Sequence, residues 1–362
     1  MPTSSIPPDY EIVDPHIHQW DLLNTPRILS PVKKLLGWNR WLYEKALLLG
    51  AKQCDKDYVG KVDYVAHNYL PENYRQDAAH LNVNQIVHVE AEWQNKKALG
   101  PAEETAWVDR LLKQTEQKTG IALGASVGYV EFEKPSIRAL LQAHQTASAK
   151  CKGVRQMLAF DNDKGIMRFC QTPGLTRQEQ WLKGFELLDE FDMSFDAWFF
   201  HHQLDELNVL AKRFPNTQFI LCHMGTPIGL SGPFASYGHT GAERDKILNI
   251  WKEGIARVAE NPNVVVKLSG FFMPVVGWGF HQREQAVSMI EVVERFQPML
   301  RYVLDCFGVE RCMFASNFPM DKVSMSLQTL YSVYWALVDD LNEMQKALLF
   351  RDNAKRIYKL GV

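Results

Sequence analysis

The sequence lacks most of the features that mark secreted, membrane-spanning or nucleic-acid-binding proteins. Its six cysteines are scattered and never form a C-x-x-C pair, so the sequence predicts no disulfide framework and no cysteine-rich zinc site. No apolar run is long enough to cross a bilayer, and the first ten residues have neither the basic nor the apolar segment of a signal peptide. We therefore expect a soluble, cytoplasmic protein with reduced thiols.

The sequence also lacks an excess of charge of either sign. Its 40 Lys and Arg residues are balanced by 42 Asp and Glu residues, which leaves a formal net charge of −2. A protein with no basic surplus has no obvious electrostatic face for nucleic acid, so we expect no nucleic-acid partner and no membrane partner. With 46% hydrophobic residues, the chain has the composition of an ordinary globular protein.

Short apolar runs alternate with amphipathic stretches along the whole chain, which is typical of repeated βα units. The helical stretches lie at 105–118, 204–214, 244–261 and 284–296. Eight runs read as strands, and eight units favour one closed (β/α)8 TIM barrel over residues 1–362. The predicted strands are 11–18, 85–91, 121–127, 153–158, 194–200, 218–223, 264–269 and 312–316.

The connection after the first strand is much longer than a barrel needs. Residues 22–84 are rich in Trp, Leu and Lys, and we interpret them as a helical insertion. Because the insertion follows the carboxyl end of a strand, it is placed over the mouth of the barrel, where it could act as a lid.

Two histidines stand at the end of the first strand. His16 and His18 are spaced i, i+2, so in an extended strand their side chains leave the same face and converge. Two imidazoles directed at one point can hold a divalent metal or polarise a substrate oxygen.

Other polar side chains follow later strands, and in a barrel all carboxyl ends of strands meet at one face. This predicts a site assembled from Glu90, Arg155, His201 or His202, His223, Asn317 and Asp321 together with the first histidine pair. Arg155 either grips a substrate carboxylate or pairs with Glu90. Lys267 is expected to form an ion pair inside the barrel. Tyr237 and His239, in a glycine-rich loop, either contact substrate or face solvent.

Five sequence blocks, taken together, resemble the amidohydrolase-related (amidohydrolase 2) family from residue 11 to about 360. They are Ile12-Val-Asp-Pro-His-Ile-His, Lys152-Gly-Val-Arg-Gln, Phe219-Ile-Leu-Cys-His-Met-Gly-Thr-Pro, Val265-Val-Lys-Leu-Ser-Gly and Cys312-Met-Phe-Ala-Ser-Asn-Phe-Pro-Met-Asp-Lys. The resemblance implies a TIM barrel and hydrolysis or decarboxylation of small acids and sugar lactones. It assigns the paired-histidine role to His16 and His18 and the strand-six histidine role to His223, while His201 is the less secure match at strand five.

The chain departs from the family pattern at strand eight. Many members of the family that this chain resembles have Ser-Asp-Trp-Pro there, with an aspartate that activates water. This chain has Ser316-Asn-Phe-Pro instead. An amide does not accept a proton at neutral pH, so Asn317 is expected to orient water or substrate. The general base is then Asp321, Glu90 or His223, and the sequence does not choose among them.

These observations predict a hydrolase that opens a sugar-acid or dicarboxylate lactone with an activated water. His16, His18, His201 and His223 would act with or without a divalent ion, zinc or manganese. Arg155, His201, Tyr237 and His239 would bind an anionic small-molecule substrate. The alternatives are a metal-dependent non-oxidative decarboxylase and a catalytically degenerate barrel that binds small acids. Barrels of this size often form homodimers, but the sequence does not determine the oligomeric state.

Overall fold

Eight parallel strands form a single sheet in which each strand pairs with the next along the chain. In the computed structural model, which describes residues 5–361, the strands are β1 Glu11–Ile17, β2 Asn82–Val89, β3 Ala122–Tyr129, β4 Cys151–Arg155, β5 Ser194–Ala197, β6 Phe219–Leu221, β7 Val264–Leu268 and β8 Cys312–Phe314. The circle closes between β1 and the segment after β8. There Asn317 N donates to His16 O at 2.9 Å, and His18 N donates to Phe318 O at 2.8 Å.

Helices occupy the connections between the strands. They are α1 Ser30–Leu36, α2 Arg40–Gly50, α3 Gln53–Val59, α4 Pro71–Asp77, α5 Ala102–Thr119, α6 Ile137–Ala147, α7 Glu179–Phe185, α8 Leu187–Glu190, α9 Leu204–Arg213, α10 Gly241–Ala259, α11 Met289–Phe307, α12 Leu327–Leu337, α13 Glu343–Ala347 and α14 Asn353–Ile357. The segment predicted as an insertion, 22–84, contains α1 to α4. No helix within residues 5–361 is both long and apolar enough to cross a membrane.

The barrel interior is filled by branched and sulfur-containing side chains from several strands, including Val13, Val87, Ile220, Val265 and Met313. Tyr358, which directly follows α14, packs against this cluster. Because its hydroxyl donates to Asp196 Oδ1 on β5 at 2.9 Å, it ties the end of the chain to the barrel interior. The strands are buried on both faces, as expected where helices cover a parallel sheet.

The predicted (β/α)8 barrel is confirmed, and the differences lie at element ends. Strands β5 and β6 stop before the apolar residues that follow them, so Trp198, Phe199 and Phe200 are buried but belong to a connection. These residues are buried because the loop packs at the barrel mouth. In the sequence, a buried loop of this kind gives the same apolar run as a strand. Helix α11 also continues to Phe307 through Pro298, because its apolar face packs throughout its length and outweighs the proline.

Candidate active site

His16 and His18 converge as their spacing predicts. Both are buried at the carboxyl end of β1, and their Nε2 atoms lie 3.2 Å apart. His18 Nδ1 lies 2.9 Å from Val89 O, and a carbonyl can only accept, so this nitrogen carries the proton. Burial, with Arg155 nearby, lowers the pKa of His18 to about 3, and its ring is therefore neutral with Nε2 as a hydrogen-bond acceptor.

Lys267 determines the tautomer of His16. Its ammonium Nζ lies 3.2 Å from His16 Nδ1 and 2.6 Å from Asp196 Oδ2. An ammonium has only protons to offer, so His16 Nδ1 accepts and the His16 proton sits on Nε2, from which it is donated to His18. Burial and the positive charge of Lys267 lower the pKa of His16 well below its usual value. A chain of hydrogen bonds, each donated in the same direction, therefore runs from Lys267 through both histidines to the backbone of β2.

The ion pair between Lys267 and Asp196 lies inside the barrel, as the sequence predicts. Both side chains are fully buried. Tyr358 donates to the same carboxylate, and Cys222 Sγ lies 3.7 Å from Asp196 Oδ2. Each buried charge thus has a partner, which removes most of the cost of taking it out of water.

Two sets of side-chain atoms are candidates for the ligands of a metal ion. His16, Asp196 and Cys222 each offer a ligand atom, and these atoms lie within 4.8 Å of one another. However, the Lys267 ammonium already pairs with that carboxylate and that imidazole, and burial raises the pKa of Cys222 to about 12, so it is a thiol and a weak ligand. The Nε2 atoms of His16 and His18 fit better, because their 3.2 Å separation suits two ligands of one ion once His16 Nε2 has lost its proton.

His223 joins the pair from a strained turn after β6. Its ring centroid lies 4.6 Å from that of His16, and its Nδ1 lies 3.0 Å from Ser269 Oγ. His223 has φ 56°, in the left-handed region, so the turn directs its ring back across the barrel mouth. Gly270, at φ +62°, passes so close to the ring that a Cβ atom there would collide with it.

A cavity of about 490 Å³ opens above these residues. Its polar part, which we call the floor, consists of His18, Glu90, Glu92, Arg155, His223 and Asn317. Its roof is made of residues 28–65 of the insertion: Ile28, Leu29, Val32, Ala46, Leu47, Val59, Val62 and Val65. The loops after β4, β7 and β8 add a methionine wall of Met157, Met167, Met273 and Met320.

Arg155 and Glu90 pair on the floor. Arg155 Nε donates to Glu90 Oε1 at 2.8 Å, and Nη2 donates to the backbone O of Glu90 at 2.9 Å. Both side chains are buried. Within residues 5–361 the remaining terminal nitrogen, Nη1, has no hydrogen-bond partner. The guanidinium charge is therefore compensated, while one donor stays available to a ligand.

Asn317 reaches the cavity but Asp321 does not. Asn317 Nδ2 lies 3.4 Å from Asp321 Oδ1, and Asp321 is fully buried behind it. Burial raises the pKa of Asp321 well above its usual value, so this carboxyl favours its neutral form. Asp321 is placed to orient the amide of Asn317.

The other predicted contacts lie away from the cavity. His201 falls four residues beyond the end of β5, and its Nδ1 accepts from Ile228 N at 3.4 Å. Tyr237 donates to Asp161 at 2.6 Å, and His239 is exposed and donates to Ala235 O at 2.6 Å. Of the four histidines predicted to hold a metal, the structure gathers His16, His18 and His223, and it places His201 outside the cavity lining.

Glu92 is a floor residue that the sequence prediction missed. It follows Glu90 by two positions and has φ 55°, which directs a carboxylate into the cavity from just beyond β2. Burial, with the nearby charge of Glu90, raises its pKa, and its carboxylate accepts no hydrogen bond from residues 5–361. The Glu-x-Glu spacing was the available signal, but the strand ends at Val89, so strand geometry does not predict where Glu92 points.

Comparison with known proteins identifies the family. The amidohydrolase family model matches residues 13–360. An L-fucono-1,5-lactonase of Burkholderia multivorans is 25% identical over 314 residues, which cover 85% of this chain and 92% of that protein. An L-rhamnono-γ-lactonase of Scheffersomyces stipitis is 22% identical over 362 residues, which cover 97% of this chain and 99% of that protein.

Among solved structures, an amidohydrolase of Burkholderia multivorans crystallised with bound zinc has the same fold. It superposes with a TM-score of 0.67 at 20% identity, and the match covers 97% of this chain and 100% of that one. The barrel and the family match extend over nearly the same residues. The chain therefore belongs to the amidohydrolase family and is a hydrolase.

Proposed function

We propose that this enzyme opens a lactone ring by adding water across the cyclic ester bond. The observation that carries the proposal is the floor itself, where the Asn317 amide, an unpaired guanidinium nitrogen and a carboxylate of raised pKa face one cavity. Hydrolysis of an ester needs these three functions: a group to orient the carbonyl, a donor to the developing oxyanion, and a base for the water. The lactonase names of two relatives agree with this chemistry.

The lactone carbonyl would lie against Arg155 and Asn317. Arg155 Nη1 and the amide of Asn317 both border the cavity, where they would donate to the tetrahedral oxyanion. Asp321 Oδ1 accepts one hydrogen of the Asn317 amide, which orients the amide and leaves its second hydrogen as the donor to the oxyanion. Donors fixed in advance are the most effective kind, since no dipole has to turn during the reaction.

Glu92 is the base that we assign to water. Glu90 is held by Arg155 and Asp321 lies behind Asn317, whereas the carboxylate of Glu92 is open to the cavity. Its raised pKa makes it a stronger base than an ordinary glutamate. It would take a proton from water during attack and return it to the alkoxide when the ring C–O bond breaks, which gives the hydroxy acid.

A divalent ion would add Lewis acidity at the same place. His16 and His18 would hold it, and when bound it would polarise the carbonyl and lower the pKa of a bound water. The chain's own condition for this is that His16 Nε2 lose its proton, which the Lys267 ammonium opposes. Metal analysis of the purified protein and assays before and after chelation test whether the ion is required.

A panel of five- and six-membered lactones, followed by proton release, tests the function. We expect kcat/KM to rise with pH through an ionisation above the usual range of glutamate, because Glu92 must be ionised to act as base. Glu92→Gln should lose that limb and about 100- to 10,000-fold in kcat. His80→Asn, at an exposed position, is the control. No hydrolysis by the wild-type protein would overturn the proposal, and an unchanged profile in Glu92→Gln would remove the role of Glu92.

A further inference from the structure

The cavity above the floor is lined mostly by apolar side chains, and this lining indicates which class of lactone it fits. Its roof presents Val32, Leu47, Val59 and Val62, and the methionine wall faces them. The polar ends of the tyrosine and the two tryptophans that line the cavity are already bonded, and Tyr58 Oη donates to Met273 Sδ at 3.4 Å. Trp198 Nε1 donates to Thr226 Oγ1 at 2.9 Å, and Trp20 Nε1 donates to His67 O at 2.7 Å.

The charged residues near the roof are either paired with another residue or partly exposed to solvent. Arg27 is buried and paired with Glu104 at 2.6 Å, and it also donates to Ala91 O. Asp55 and Lys56 on α3 are partly exposed, so they lie where the cavity meets solvent. Polar groups that are free to meet a ligand are therefore concentrated on the floor.

This distribution is a poor match for a polyhydroxylated ring. A sugar lactone carries a hydroxyl on most ring carbons, and each one that leaves water without a new partner weakens binding. The floor can serve the ester group and one or two neighbours, but the roof and the methionine wall offer the remaining hydroxyls nothing. An alkyl or aryl substituent would instead replace water on those surfaces.

We propose that the substrate is a lactone that carries an apolar substituent, with its ester group on the floor and its substituent under the roof. This inference rests on the proposed function. A cavity of about 490 Å³ is within the usual range of ligand pockets. Methionine side chains adapt to irregular shapes, so the wall would accept a range of substituents. The outer surface continues the same character, since Ile28 and Leu48 of the insertion are exposed.

Three six-membered lactones test the substrate class: δ-valerolactone, its butyl-substituted form δ-nonalactone, and L-fucono-1,5-lactone. We expect kcat/KM for δ-nonalactone to exceed the values for both others by about 100-fold, since each of the four buried carbons of the butyl group contributes about three- to fourfold. The double variant Met157→Gln/Met167→Gln, nearly equal in volume, should reduce that ratio by about tenfold or more. Met344→Gln, on the exposed surface, should leave it unchanged.

A binding measurement separates this inference from the proposed function. The lactams of the same two ring systems, δ-valerolactam and 6-butylpiperidin-2-one, place an amide where the ester would be, and calorimetry gives their Kd. Tighter binding of the butyl lactam, lost in the double methionine variant, supports the apolar class even if no lactone is hydrolysed. In that case only the proposed reaction fails. Equal binding of both lactams, or faster hydrolysis of the fucono-lactone, overturns the inference.

Discussion

The floor of the cavity is built from ionisable side chains at the ends of barrel strands, whereas its roof is built from aliphatic side chains on the insertion helices. On the floor and just beneath it, Arg155 pairs with Glu90 and Lys267 pairs with Asp196. The roof has no such pairs within residues 28–65 of the cavity lining. The charged groups of the floor are thus connected by ion pairs, so a change to one of them affects several. A roof residue can be changed without altering any of these ion pairs.

The largest effect should come from the imidazole pair. His18→Asn removes the acceptor for His16 Nε2 and a group that faces the cavity, so we expect kcat/KM for the best lactone to fall about 100- to 10,000-fold. Steady-state kinetics measure the loss, and His239→Asn, at an exposed position, should retain full activity. Wild-type turnover in His18→Asn would show that the floor does not carry the chemistry.

The ion pair beneath the floor should control stability. Lys267→Met leaves the carboxylate of Asp196 buried without its cation, and we expect a loss of about 3–5 kcal/mol in the free energy of unfolding. The double variant Lys267→Met/Asp196→Asn should recover a large part of that loss, because neither charge remains. Urea unfolding followed by circular dichroism gives both values. A single variant as stable as the wild type would mean that Asp196 finds another cation or becomes neutral.

Sequence reasoning anticipated the parts of this site that follow from strand geometry. The convergence of His16 and His18 follows from alternation along β1, and the interior position of Lys267 follows from its place in an apolar strand. The sequence left two roles open for Arg155, and the structure contains its ion pair with Glu90. These residues lie in or directly beside regular strands, where side-chain direction is set by the backbone.

Sequence reasoning could not place residues whose direction depends on a turn. Glu92 and His223 have φ values of 55° and 56°, which side-chain alternation does not predict. His201 is displaced because the buried segment after β5 continues past the strand. The roles of Tyr237 and His239 depended on the path of a long loop, and their side chains bond within their own region.

The neutral histidines should make acid stability depend on the floor. His18 has a pKa of about 3 in the folded protein and 6.5 as the ordinary value, so between these pH values the unfolded chain binds a proton that the folded one does not. The stability that the neutral His18 contributes is fully present above pH 6.5 and is lost as the pH falls towards 3. His18→Asn should make this fall shallower by about 1.4 kcal/mol per pH unit. Urea unfolding at several pH values measures the slope, and an identical slope would mean that His18 is protonated in the folded state.

The smallest effect on stability is expected on the outer face of the roof. Trp38 and Trp41 lie on the insertion at 77% and 60% exposure, and Leu49 at the end of α2 is 86% exposed. Because these side chains bury little surface in one chain, Trp41→Ser should change the free energy of unfolding by no more than about 0.5 kcal/mol. Tyr43→Ala, two residues along the same helix but fully buried, should cost about 3–5 kcal/mol.

The Trp41 result also bears on self-association, since exposed apolar faces of this kind often mark contacts between protein chains. α1 and α2 together carry Lys33, Lys34, Arg40 and Lys45 against Glu44, so two copies meeting face to face would bring like charges together. We therefore expect this face not to carry a dimer contact, so that Trp41→Ser leaves the concentration dependence of the melting temperature as it is in the wild type. A melting temperature that rises with concentration in the wild type, but not in Trp41→Ser, would instead place a second chain on the roof.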